Sequence, residues 1–144
     1  MEKNKVVSIY SGNFIDTANF DLDHFLPRAF VAHDRFWNLT PIESGLNAEK
    51  SDLLPDLGFV PRLAHQHSMM ARHAMSLQGR AEATWRLALD EYATDLQLDS
   101  SRLQNPAELE RVYNEAFSGL AGIAKRMGFP DGWRPNGAPA RSCV

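Results

Sequence analysis

The chain has 144 residues, with 15 Lys+Arg against 18 Asp+Glu and a formal net charge of −3. That length suits one domain, or a small domain with an extension, and excludes two full cores. Its 44% hydrophobic and 23% charged residues are globular values, while the slight acidity argues against a protein that coats polyanions through a broad basic surface.

From the N-terminus, residues 6–10 read as a strand and Ser11-Gly12-Asn13 as a turn. Those first apolar residues are too few for a signal-peptide core. Residues 20–25, Phe-Asp-Leu-Asp-His-Phe, alternate apolar and polar as far as Asp23, the pattern of a half-buried strand, and Pro27 ends them. A loop to about Phe36 leads to a short edge strand at 38–42, with Pro41 inside it. Residues 44–54 suit a short helix stopped by Pro55. The texture changes near residue 60, which divides the chain into a strand-and-loop unit, 1–60, and a helical extension, 61–144. Helices are expected over 62–77 and 81–98, the latter with Trp85, Leu89, Tyr92 and Leu96 on one face. A third starts at Asn105-Pro106-Ala107-Glu108, an N-cap signature, and carries the stripe Leu109, Val112, Ala116, Leu120, Ile123 and Met127 up to Gly128. The tail from Pro130 reads as irregular. No apolar run approaches the ~18–20 residues of a membrane span. The single cysteine, Cys143, excludes a disulfide framework and a cysteine-based zinc site. A cytoplasmic protein without membrane association is expected.

The chemistry-bearing residues lie in the first half. Asp23 and His24 are adjacent where the strand ends, the one place where neighbouring strand side chains can serve a single site. Asn47 and Lys50, three apart, share a face of the short helix. A helix folded back on the strands would bring together a carboxylate, an amide oxygen, an imidazole and an ammonium. Hard oxygen donors with open positions suit Mg²⁺.

Asp23-His24, Asn38-Leu39 and Asn47-x-x-Lys50 follow one another with fourteen residues from His24 to Asn38 and nine from Asn38 to Asn47. Over about residues 6–55 this resembles the HNH endonuclease family, the ββα-metal nucleases. Tyr10-Ser11-Gly12 and Lys50-Ser51-Asp52-x-x-Pro55 also look like the HNH domains of RNA-guided CRISPR nucleases and related phage and bacterial enzymes. The resemblance implies an α+β fold, a ββα-metal motif followed by a C-terminal helical extension. It also implies a metal-dependent endonuclease acting on DNA, with RNA not excluded. His24 would be the general base, and Asp23 and Asn47 would hold one Mg²⁺ or Mn²⁺. Asn38 would pin the loop between the strands and so orient His24. Lys50 would contact phosphate or stabilise the helix. Many family members carry two Cys-x-x-Cys pairs for a structural zinc; none stands here, so no zinc is expected.

Plainer readings apply to other residues. His33 could approach substrate or merely stabilise its loop. His65, His67 and His73 lack a pair at i,i+4, which argues against a zinc site. Met69, Met70 and Met75 read as core filler; Trp37 is expected beneath the loop and Trp85 in the core, while Trp133 packs back on the helices or serves as a docking anchor. Arg62, Arg72, Arg80 and Arg86 could line a nucleic-acid path or form a solvated face.

By charge, residues 1–60 carry five basic against nine acidic side chains, a net of −4, and residues 61–144 ten against nine, a net of +1. Autonomous affinity for DNA should therefore be weak. Two alternatives follow: a nuclease effector subunit of a larger defence, mobile-element or RNA-guided assembly whose protein partner recruits the substrate, and a non-catalytic interaction module retaining the fold.

Overall fold

The computed structural model describes residues 6–136; the terminal segments, Cys143 among them, lie outside the described residues. β1 (Val6–Val7) and β2 (Phe14–Ile15) pair antiparallel, with Val6 opposite Ile15. The ladder stops sooner than the apolar run implied. Ser8 turns the chain, its Oγ accepting from the backbone N–H groups of Tyr10 (3.1 Å) and Ser11 (3.2 Å). Gly12, at φ +78°, completes the turn in a conformation that other residues resist.

β3 (Asp21–His24) pairs antiparallel with β4 (Leu39–Ile42), Asp23 opposite Thr40 and His24 opposite Leu39. The connection holds one unexpected helical turn, α1 (Arg28–Val31), and a 3-10 turn at Phe36–Asn38. Pro27 therefore both stops a strand and opens a helix. α2 (Ser44–Lys50) follows β4, completing the order strand, strand, helix. It ends at Lys50 because Ser51, at φ +47°, leaves the helical region.

α3 (Val60–Ala74), α4 (Arg80–Leu96) and α6 (Pro106–Arg126) stand where three helices were expected, and α5 (Ser100–Leu103) adds a fourth to this half. Asn105 caps α6, its Oδ1 accepting from the N–H groups of Ala107 (3.1 Å) and Glu108 (3.2 Å), an arrangement worth about 1 kcal/mol.

Two faces differ from expectation. On α6 the buried row is Leu109, Tyr113, Phe117, Ala121 and Ala124, whereas Ile123 and Met127 are 43% and 63% exposed. The helix is turned so that the Tyr113 hydroxyl enters a buried polar cluster with His67 and Tyr92. β3 is inverted: Leu22 is 57% exposed and Asp23 only 4%. A buried carboxylate normally opposes folding, and here Tyr10 and Lys50 compensate it. Met75, expected inside, is exposed.

One buried cluster joins both halves of the chain, from Ile9, Tyr10, Phe25, Leu26 and Trp37 to Leu63, Tyr92, Tyr113, Phe117 and Trp133. The α3–α6 pair forms its wall. Residues 130–136 are irregular, as expected, yet latched to the chain: the Trp133 N–H donates to Leu54 O, Asp56 N–H donates to Trp133 O (both 2.9 Å), and Arg134 pairs with Asp56 at 2.6 Å. Both α+β character and the C-terminal helical extension are present. Among the described residues, no helix is long and apolar enough to cross a membrane.

Candidate active site

Four small constellations surround the end of β3. In the first, Asp23 is held from two sides. The Tyr10 hydroxyl donates to its Oδ2 at 2.7 Å, and Lys50 Nζ donates to its Oδ1 at 3.2 Å. Lys50 Nζ also donates to the His24 carbonyl at 2.8 Å. Burial raises the Asp23 carboxyl above its ordinary value against the pull of Lys50 and the Tyr10 hydrogen bond. It lowers the Lys50 ammonium, which Asp23 opposes, and pushes the Tyr10 phenol well up. Tyr10 is fixed for this task by edge-on packing against Phe59 and Trp133.

In the second constellation, Asn47 Nδ2 donates to Asp21 Oδ2 at 3.0 Å. Alternation along β3 puts Asp21 and Asp23 on one face, and α2 lies over that face. The third centres on His24, whose Nε2 lies 2.8 Å from Asp34 Oδ1; Arg28 Nε reaches the same oxygen at 2.9 Å. In the fourth, Asn38 is fully buried. Its Oδ1 accepts from Leu26 N–H and its Nδ2 donates to Leu26 O, both at 2.9 Å. Together with Phe25 N–H donating to Asn38 O (2.8 Å), these bonds staple the start of β4 to the segment just after His24.

The connection between the strands is also held from outside the ββα unit. On α4, Glu91 accepts from Phe36 N–H at 2.6 Å, and Asp95 accepts from Trp37 Nε1 at 2.8 Å and from Arg35 Nε at 3.2 Å. On α3, His67 Nε2 donates to Leu39 O at 2.8 Å, since a carbonyl only accepts. His67 Nδ1 therefore accepts from the Tyr113 hydroxyl at 2.6 Å. Burial keeps His67 neutral, lowering its pKa to about 4.

Residues 8–56 match the family model of the HNH endonucleases. Over this third of the chain, the sequence is similar to the HNH endonuclease family. No curated protein and no solved structure matches the chain significantly. Endonucleases of this family use a divalent metal ion. In the HNH segment, the donors suited to such an ion are the carboxylates of Asp21 and Asp23 and the amide of Asn47. Because Asn47 Nδ2 is committed to Asp21, the atom it leaves for a cation is the hard carbonyl Oδ1. Each Asp23 oxygen carries one hydrogen bond and retains further acceptor capacity. The donor set therefore fits Mg²⁺ or Mn²⁺ in character, as a mixed carboxylate–amide site. Among the described residues, no three His, Cys, Asp or Glu side chains gather to hold a metal on their own.

Lys50 joins the Asp23 carboxylate to the His24 backbone carbonyl, while the His24 ring turns to Asp34 and Asn47 contacts Asp21 rather than Asp23. Lys50 does not present its ammonium to substrate: it has no exposed surface and braces Asp23 and the His24 backbone from inside. His33 turns inward on its own loop, its Nδ1 accepting from Arg35 N–H at 3.2 Å and its ring edge-on to Trp37. Burial, with Arg35, lowers its pKa. Asp21 and Asp34 have no site role in the sequence reading, and Tyr10 enters it only within the Tyr10-Ser11-Gly12 resemblance. The i,i+2 spacing of Asp21 and Asp23 was a usable signal; for Tyr10 and Asp34 no local pattern exists.

Proposed function

We propose that the HNH domain hydrolyses phosphodiester bonds of DNA, with His24 as general base and Asp23 and Asn47, aided by Asp21, as the oxygen donors for one Mg²⁺ or Mn²⁺. The supporting observation is that β3 ends on an imidazole with one nitrogen unengaged, while the same strand and the helix over it carry three oxygen donors of the right hardness. Such an ion would neutralise charge on the phosphate and stabilise the leaving 3′ oxygen. His24 takes a proton from the attacking water. Asn38 holds the loop that orients it. Lys50 keeps Asp23 and the His24 carbonyl in fixed relation. The products carry 3′-hydroxyl and 5′-phosphate ends.

The test compares the wild type with His24→Ala on plasmid, single-stranded DNA and RNA, with Mg²⁺ or Mn²⁺. Cleavage of DNA that is lost in the variant, at unchanged thermal stability, is the expected result. Activity that survives the change removes His24 from the base role; preferential cleavage of RNA changes the substrate.

A specific observation favours dependence on a protein partner that brings the substrate. Arg28, Arg35 and Lys50, the basic residues of the matched segment, are each already paired with carboxylates of the same chain. Little cationic surface then remains there to release counterions from DNA. A nuclease effector acting within a larger assembly fits this charge distribution better than free-standing DNA binding.

A further inference from the structure

His24 is the last residue of β3, and its ring is about a quarter exposed. Its Nε2 is 2.8 Å from Asp34 Oδ1. An ionised carboxylate has no proton to give, so Nε2 must carry the hydrogen and donate it. The hydrogen bonds from His24 and Arg28 hold the Asp34 carboxyl below its ordinary value, which keeps it in that acceptor state. In the neutral ring Nδ1 then carries the lone pair. Asp34 is not adjacent to His24 in sequence; the loop places it there. That loop is anchored immediately downstream, where Glu91 and Asp95 of α4 bind Phe36, Trp37 and Arg35, and Arg28 Nε grips Asp34 Oδ1 from the other side at 2.9 Å.

We propose that Asp34 is a positioning residue for His24, selecting the Nε2–H tautomer and fixing the ring so that Nδ1 is the atom that accepts the proton of the attacking water. The inference rests on the reading of His24 as the base. When Nδ1 takes the proton, the imidazolium keeps its Nε2–H bond to Asp34, and the carboxylate that oriented a neutral ring now faces a cation, forming an ion pair. The water's oxygen forms its bond to phosphorus as the bond to the 3′ oxygen breaks, and the released 3′ oxygen takes a proton from solvent water to give the 3′-hydroxyl. The arrangement follows the general logic by which a carboxylate orients a histidine base. Asp34 is largely exposed, so its contribution lies in orientation rather than in stability.

The test uses the full chain carrying ¹⁵N-labelled histidine, with Asp34→Ala and Asp34→Asn. In the wild type, the His24 Nε2 signal should be that of a protonated nitrogen with a hydrogen-bonded, slowly exchanging proton, and Nδ1 that of an unprotonated one. Asp34→Ala should lose the slow proton exchange, shift the His24 ring toward a mixture of tautomers, and lower kcat by about tenfold or more with KM little changed. Asp34→Asn retains a carbonyl acceptor and should recover part of both the signal and kcat. Wild-type His24 signals in Asp34→Ala overturn the proposal, whether or not any substrate is cleaved. Wild-type kcat in Asp34→Ala overturns it too, leaving His24 as base. A wild type without nuclease activity, but with the expected Asp34-dependent signals, overturns the catalytic reading alone.

Discussion

The residues around His24 fall into those that would meet substrate and those that hold the first group still. Asn38 belongs to the second. A buried amide that both accepts from Leu26 N–H and donates to Leu26 O does the work of a strand partner in a place where no strand runs. Asn38→Ala leaves two buried backbone groups unpaired and should cost about 2–4 kcal/mol of stability in urea unfolding. A loss below about 1 kcal/mol would mean that water replaces the amide. The Asp23–Lys50 pair illustrates the opposite balance. Two charges are withdrawn from water, burial disfavours each charged form, and the mutual attraction with the Tyr10 and His24 hydrogen bonds offsets it. As candidates, Asp23, His24, Asn38 and Asn47 were readable from their spacing. The supporting contacts of Tyr10, Asp34 and Leu26 were not, because each joins segments that have no common periodicity.

At the level of elements, the ββα unit does not stand alone. α4 contributes two carboxylates that receive the Phe36 N–H and the Trp37 indole, and so grips the 3-10 turn that leads into Asn38. Replacing both Glu91 and Asp95 by Ala should accelerate amide hydrogen exchange at Phe36, while protection in the α3–α6 pair persists. Unchanged exchange at Phe36 would show that packing of Trp37 alone holds the turn. The helices themselves were legible because capping and spacing act locally: Asn105-Pro106 marks the start of α6 as accurately as the structure does. Their rotation was not. The apolar stripe of α6 was read one step away from the row that is actually buried, since Tyr113 and Ala124 compete with Val112 and Ile123 and only the neighbours decide between them.

For the molecule as a whole, the His67–Tyr92–Tyr113 cluster ties α3, α4 and α6 together and reaches β4 through the Leu39 carbonyl. Leu39 is the ladder partner of His24, so the His67–Leu39 hydrogen bond is one of the contacts by which the helical extension reaches the candidate active site. The pH dependence follows from the sign of the His67 shift. Its folded pKa, about 4, lies below the ordinary 6.5, so the unfolded chain binds more protons between those values. Its contribution to stability is complete above about pH 6.5 and is lost as pH falls toward 4, to a limit of about 3 kcal/mol. Urea unfolding from pH 7 to 4 should show this decline, and His67→Gln should remove that part of the slope; an equal slope in both proteins would exclude His67 as its source.

The sequence by itself determined the α+β class, the order strand, strand, helix followed by helices, and the HNH motif with its spacing. These depend on local preferences and on residues set at fixed intervals along one chain. Only the tertiary structure decided that Lys50 is an internal brace, that Leu22 rather than Asp23 faces outward, and that His24 leans on Asp34. Which face of a strand or helix is buried depends on what packs against it. A polar side chain can be buried only where partners from distant segments, here Tyr10 and Lys50 on Asp23, meet its hydrogen-bonding and charge requirements.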